Sequence, residues 1–115
     1  MFDFQKLEVY QKAKIFNKET ASLLIEKKFD RITNDQLRRA SFSIMLNIAE
    51  GMSRFSNKDR RNFMVISRGS AFECVAILEY LVENEQIDKD RYSGFYLKLE
   101  ELSKMLFALI RKLEN

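Results

Sequence analysis

Residues 36–51 read QLRRASFSIMLNIAEG, and their spacing is that of a helix with one buried face. Leu37, Ser41, Ile44 and Ile48 follow one another at intervals of four, three and four residues. Such intervals return a side chain to the same side of an α-helix, whereas a strand alternates at every second residue. The stretch therefore predicts an amphipathic helix that packs against other helices.

The same spacing recurs along the chain and predicts four helices in total. We expect the first from about Gln5 to Lys28, the second from Thr33, with Gly51 as its stop, the third from Ser56 or Asn57, and the fourth from the N-cap Asp88. Thr33 followed by Gln36 fits a capping box. The apolar stripes of the other three helices are Val9, Ala13, Phe16, Thr20 and Leu23; Phe63, Ser67, Ser70, Cys74, Ile77 and Leu81; and Tyr92, Tyr96, Leu99, Leu102, Leu106, Leu109 and Leu113.

The predicted connections are short, at about Phe29 to Ile32, Met52 to Ser56 and Asn84 to Ile87. Short connections place consecutive helices antiparallel. We therefore expect an all-α fold, a single domain over residues 1–115 that forms an up-down-up-down antiparallel four-helix bundle. A three-helix alternative would have to fuse two segments across residues 51–54 or 84–88, and the cap signals argue against it.

The composition excludes several kinds of site. The chain has no His, which removes the commonest general base and metal ligand, and its single Cys excludes an internal disulfide, Cys-cluster zinc sites and CxxC redox pairs. The longest uncharged run, Ala40 to Ala49, is ten residues, against about 20 for a membrane span. We expect no enzyme activity, no metal or cofactor, no membrane partner and, since no signal peptide is visible, a cytoplasmic location.

The net charge of +3 hides an uneven distribution. Residues 31–70 carry 8 basic and 3 acidic groups, whereas residues 71–115 carry 6 basic and 9 acidic groups. Seven of those 8 basic residues are Arg, whose planar fork matches phosphate, and Phe55 lies among them as a stacking surface for a base. Solvated helix-face charges are the alternative. The candidate nucleic-acid-binding residues are Arg38, Arg39, Arg54, Phe55, Lys58, Arg60, Arg61 and Arg68.

A second group of polar residues lies near the apolar stripes. We expect Asn47, Glu50, Ser70 and Glu73 to form a partly buried polar network that fixes the register of the second and third helices. The alternative, a carboxylate metal site, is disfavoured because di-iron bundles use Glu-x-x-His motifs. Cys74 on the stripe of the third helix is expected to be an inert core residue.

Several motifs resemble the four-helix-bundle family encoded in intervening sequences of bacterial 23S ribosomal RNA genes. They are Phe4 to Ala13, Gln36 to Ala40, Ser43-Ile44, Asn47 to Gly51, the positions Arg54, Ser56, Phe63, Ser70 and Glu73, and the terminal Met105-Leu106 and Leu109 to Leu113. The resemblance implies a ring-shaped homo-oligomer, typically a homopentamer. It also implies a relationship to the accessory variability determinant protein of diversity-generating retroelements, a basic bundle that binds nucleic acid and a reverse transcriptase.

Two functions follow as hypotheses. The first is a non-catalytic oligomer that binds nucleic acid, most simply RNA, through the basic face around the second and third helices. The second is a protein-interaction or scaffold module that uses the same face for a partner protein such as a reverse transcriptase. The 14 aromatic residues exceed what one small bundle easily buries, which supports surface contacts in the second hypothesis and fits contacts between subunits.

Overall fold

Four long helices make up most of the chain in a computed structural model, which describes residues 1–114. They are α1 (Glu8–Lys27), α2 (Arg31–Met52), α3 (Asn57–Glu83) and α4 (Lys89–Lys112), preceded by a short 3₁₀ turn at Asp3–Lys6. Each helix packs against two neighbours, in the order α1, α2, α3, α4 and back to α1, within an envelope of 44 × 23 × 22 Å. The described residues include no strand. The all-α prediction with four helices is therefore confirmed.

Local hydrogen bonds set where the helices begin. The Asp30 carboxylate accepts from the Thr33 amide at 3.0 Å and from its hydroxyl at 2.8 Å. α2 therefore begins at Arg31, and the capping box predicted at Thr33 is wrong, because the preceding aspartate takes the capping position. Ser56 and Asp88 cap α3 and α4 as predicted, accepting from the Asp59 and Arg91 amides.

The first helix begins later and the second ends later than the sequence predicts. Leu7 is extended after the 3₁₀ turn, so α1 starts at Glu8, and it ends where Lys28 adopts a left-handed conformation with φ of 51°. Gly51 does not stop α2, which continues to Met52. A Cβ atom at Gly51 would lie 2.8 Å from the Phe63 Cβ. The glycine therefore permits close approach of α2 and α3 rather than ending a helix.

The core contains the predicted stripes of α1 and α2 in full, with Leu24 and Ala40 added. In α3, two residues of the predicted stripe, Phe63 and Ile77, lie at the edge of the core. Residues on the adjacent arc of the helix are buried in their place. In α4, Phe95 is buried while its neighbour Tyr96 is 39% exposed. The stripes differ because α3 forms the two most extensive interfaces of the bundle, with α2 and with α4, so its buried arc is wider than one row of residues. The added core residues of α3 are Met64, Ala71 and Leu78.

None of the helices in residues 1–114 combines the length and the apolar character that crossing a membrane requires.

Candidate nucleic-acid interface

The connection between α2 and α3 and the first turn of α3 lie together at one end of the bundle, called here the loop end (residues 53–61). Arg54 pairs with Glu50 at 3.0 Å and places its guanidinium 4.7 Å from the centre of the Phe63 ring. Arg60 donates from Nε to the Arg54 carbonyl oxygen at 2.7 Å. Since Gly51 lets Phe63 approach α2, these contacts hold both arginines at the junction of the two helices.

The remaining residues of the loop end point towards solvent. Phe55 is fully exposed, Lys58 is exposed and Arg61 is partly exposed. Neither Lys58 nor Arg61 forms an ion pair within the described residues. The loop end carries four cations and the carboxylate of Asp59. When the adjacent Glu50 is included, the net charge is +2. Among the residues that the structure describes, the first two backbone N–H groups of α3 have no hydrogen-bond partner, and this end of the helix also carries the positive end of the helix dipole.

Three predicted residues lie elsewhere. Arg38 and Arg39 are on α2, and Arg39 precedes Gly51 by twelve residues, which corresponds to about 18 Å along a helix. Arg38 lines a groove between α1 and α2, beside Ala21 and Leu24. The eight predicted residues therefore do not form one surface, because neighbours in sequence turn to different faces of a helix. Five of them, Arg54, Phe55, Lys58, Arg60 and Arg61, meet at the loop end.

Arg68 is held between α3 and α4. Its guanidinium lies 4.7 Å from the centre of the Phe72 ring and 5.4 Å from that of Phe107, and its Nε donates to the Ser103 carbonyl oxygen at 3.3 Å. These contacts make Arg68 part of the packing between two helices.

The polar network between α2 and α3 has a different membership from the predicted one. The Ser43 and Ser70 hydroxyls lie 2.8 Å apart, and Asn47 donates from Nδ2 to the Ser43 hydroxyl and to the Ser43 carbonyl oxygen, both at 2.9 Å. Ser43 is the residue that the sequence prediction missed, although its place four residues before Asn47 puts it on the same helix face.

Glu50 and Glu73, which we expected in this network, do not belong to it. Glu50 pairs with Arg54 at the surface. Glu73 is exposed, and within residues 1–114 it forms no hydrogen bond or ion pair through its side chain. Glu73 follows Ser70 by three residues, so its side chain leaves the helix in a direction about 60° away from that of Ser70. This difference moves the carboxylate from the side that faces α2 to the side that faces solvent.

Cys74 is fully buried, and burial together with the nearby charge of Glu73 raises the pKa of its thiol to about 12. The thiol is therefore protonated and unreactive at neutral pH. Within residues 1–114, the Cys, Asp and Glu side chains form no group of three that could hold a metal ion.

Exposed apolar residues mark two further surfaces. A groove of about 480 Å³ between α3 and α4, called here the α3–α4 groove, is lined in its middle by Phe72, Val75 and Tyr96. Arg68 and Lys104 lie at its loop-end side and Glu79 at its far side. The second surface lies on α2 and is called here the α2 ridge; it consists of Arg39, Phe42 and Leu46, all exposed.

Comparison with known proteins agrees with this architecture. A family model described as 23S rRNA-intervening sequence protein matches residues 5–108. One similar solved structure is the crystal structure of a protein of unknown function from the S23 ribosomal protein family of Bacteroides thetaiotaomicron. It shares 27% identity with this chain, covers 89% of this chain and 97% of its own, and superposes with a TM-score of 0.84. No curated protein matches the chain.

Proposed function

The chain belongs to the 23S rRNA-intervening sequence protein family, and from that premise we propose that it is a non-catalytic, ring-shaped homo-oligomer that binds RNA. The observation that carries the proposal is the loop end, where four cations and the fully exposed Phe55 surround the start of α3. Arginine forks and free amides suit phosphate, and an exposed aromatic ring suits an unpaired base. Single-stranded RNA supplies both groups.

Oligomerisation would make this weak site effective. One copy offers a net charge of only +3, whereas the homopentamer implied by the family resemblance would carry +15. Several loop ends on one ring would engage one RNA chain at high effective concentration. We expect affinity in the micromolar range that falls steeply as salt rises, since phosphate binding releases counterions.

Fluorescence anisotropy with a labelled single-stranded RNA tests the proposal. Lys58→Glu with Arg61→Glu should weaken binding by about tenfold or more for all sequences, because both side chains would contact phosphate. The two residues are chosen because Arg54 and Arg60 also hold the loop in place. Lys27→Glu with Lys89→Glu, the same double charge reversal on exposed residues at the opposite end of the bundle, is the matched control.

Three results would contradict RNA binding at the loop end: no binding by the native chain, binding that does not respond to salt, or equal losses in the test and control variants. Light scattering tests the ring separately, and a monomer at micromolar concentration would contradict it.

The second candidate function is a protein-interaction module. The sequence assigns its binding to the basic face, whereas the surface of the structure that favours it is the α3–α4 groove. The groove exposes Phe72 and Tyr96, large apolar side chains of the kind that occupies the centres of protein interfaces. Co-purification separates the two functions: nucleic-acid absorbance in the purified peak supports RNA binding, and a defined protein partner supports the alternative.

A further inference from the structure

We propose that each copy in the ring inserts Phe42 of its α2 ridge into the α3–α4 groove of the next copy. The inference rests on the ring in the proposed function and names the surfaces that build it. Phe42 is 46% exposed on the ridge and Phe72 is 55% exposed in the groove. Aromatic anchors that fill an apolar depression contribute most to the stability of protein interfaces.

The positions of the two surfaces suit a head-to-tail contact. The groove lies between α3 and α4, whereas Phe42 lies on the far side of α2, beside Asn17 and Ala21 of α1. A copy therefore cannot fill its own groove, and every copy can give one contact and receive another. Contacts between two different surfaces of the same chain generate rings when the rotation closes.

The heights of the residues along the bundle also match. The contact of Ser43 with Ser70 places these residues at one level of α2 and α3, and the contact of Arg68 with Ser103 does the same for α3 and α4. Counting along the antiparallel helices, Phe42 is level with position 71 of α3 and position 100 of α4. In a ring whose axis runs parallel to the bundles, the copies stand side by side at equal height, and Phe42 then meets the middle of the groove, beside Phe72.

The charges at this height are complementary. Arg39 is level with position 74 of α3. Two acidic residues line the groove on either side of this level: Glu79 lies farther from the loop end and Glu100 lies nearer to it. In the described residues none of these three side chains has an ion-pair partner within its own copy. Leu46 is level with Arg68 and Lys104, whose aliphatic stems can cover it. Asp35 lies one helical turn from Arg39, on the side away from the loop end. It is the acidic residue beside the ridge that would come close to the negative charge of Glu79.

Light scattering on surface variants tests which faces meet. Phe42→Asp should convert the oligomer to monomers, because it places a charge in an apolar groove. Ile25→Asp, at a side chain 77% exposed on α1 and outside both surfaces, is the matched control and should leave the oligomer intact. Circular dichroism checks that both variants keep their helices. An unchanged oligomer for Phe42→Asp, or dissociation of both variants, would overturn the inference.

Disulfide cross-linking tests the register without removing the aromatic anchors. Arg39→Cys combined with Ala76→Cys, whose levels differ by about 3 Å, should give a ladder of covalent multimers under mild oxidation. The native Cys74 is buried and should add little background. Ile25→Cys with Ala76→Cys is the control pair, and a ladder from this pair would overturn the proposed contact. Arg39→Cys alone, with one accessible thiol per copy, should give no multimer beyond a dimer.

The outcomes separate the two proposals. A native oligomer that forms no ladder through positions 39 and 76 overturns the assigned surfaces and leaves the ring standing. A native monomer overturns both. RNA binding is measured at the loop end, which none of these substitutions alters.

Discussion

The interface between α2 and α3 and the interface between α1 and α4 hold the same bundle together by different interactions. Between α2 and α3, the buried Ser67 hydroxyl donates to the Ile44 carbonyl oxygen at 2.7 Å, and the Ser43 and Ser70 hydroxyls meet at 2.8 Å. Beside the loop end, Gly51 permits direct contact between the two helices. Short hydrogen bonds and close steric contact fix the position of one helix on the other.

Between α1 and α4, ion pairs bridge the surface above an apolar core in which Phe16 and Phe95 pack edge to face. The pairs use acidic and basic residues at seven-residue intervals along α1. They are Lys12–Glu101, Glu19–Lys98 and Glu26–Arg91. Exposed pairs contribute at most about 1 kcal/mol each and weaken with salt. The helices that carry the loop end are therefore rigidly joined, and the opposite interface responds more to solution conditions.

Among the substitutions that test this comparison, Gly51→Ala should have the largest effect on the free energy of unfolding. The added methyl would lie 2.8 Å from the Phe63 Cβ and 2.9 Å from the Met64 Cε, so α2 and α3 would have to separate. We expect a loss of about 1–3 kcal/mol in the free energy of unfolding, measured by urea denaturation. Gly69→Ala is the control, because an added Cβ there meets no atom of the described residues within 4 Å and alanine gains about 0.5–1 kcal/mol over glycine in a helix. Equal effects would refute the close contact.

Two hydroxyl deletions should shift stability in opposite directions. Ser67→Ala removes a buried hydrogen bond between α2 and α3 and should cost about 1 kcal/mol. Thr20 on α1 is buried, and its Oγ1 has no hydrogen-bond partner within residues 1–114, so Thr20→Val should stabilise the protein by about 1 kcal/mol. Thermal or urea unfolding of both variants measures the difference. Destabilisation by Thr20→Val would show that its hydroxyl has a partner in solution.

The smallest effect should come from the ion pairs between α1 and α4. A double-mutant cycle with Glu19→Gln and Lys98→Met should give a coupling of less than about 1 kcal/mol that falls as salt rises. The matching cycle with Ser43→Ala and Ser70→Ala should not respond to salt. A coupling that is independent of salt at the first pair would contradict its surface character.

The stability of the interface between α1 and α4 should also respond to pH, through Glu26. Hydrogen bonds from the Arg91 guanidinium hold the pKa of this carboxylate below its ordinary value of 4.5. A lowered pKa in the folded state stabilises the fold above pH 4.5, and the contribution is lost as pH falls through the folded value. Glu26→Gln should therefore flatten the acid limb of a stability–pH curve. An unchanged acid limb would exclude Glu26 as a contributor.

The fold could be predicted from the sequence because the helix periodicity is strong in α1 and α2. Every predicted stripe residue of these helices is buried. The periodicity is less informative in α3, where Met64 is buried and Phe63 is only partly buried. This helix forms the two most extensive interfaces of the bundle, with α2 and with α4, and therefore buries more than one row of residues. Capping was ambiguous wherever two capping residues lie close together, as Asp30 and Thr33 do.

The candidate site could be predicted only in part. Nearness in sequence correctly predicts that the residues of the loop end lie close together in space, because the chain makes a turn there. It fails along the helices, because Arg39 and Arg68 belong to surfaces that depend on which helices lie beside them. The burial predicted for Glu73 fails for the same reason, since a turn of about 60° around a helix separates an interface from solvent.

The full exposure of Phe55 has a spectroscopic consequence. The chain contains no Trp, and its four Tyr residues lie on helices α1, α3 and α4. A tryptophan introduced by Phe55→Trp would therefore be the sole indole emitter, placed in water at the loop end and free of any packing role. Its emission in the isolated protein should be that of a solvated ring, so quenching or a blue shift would report directly on a molecule that covers this end of the bundle.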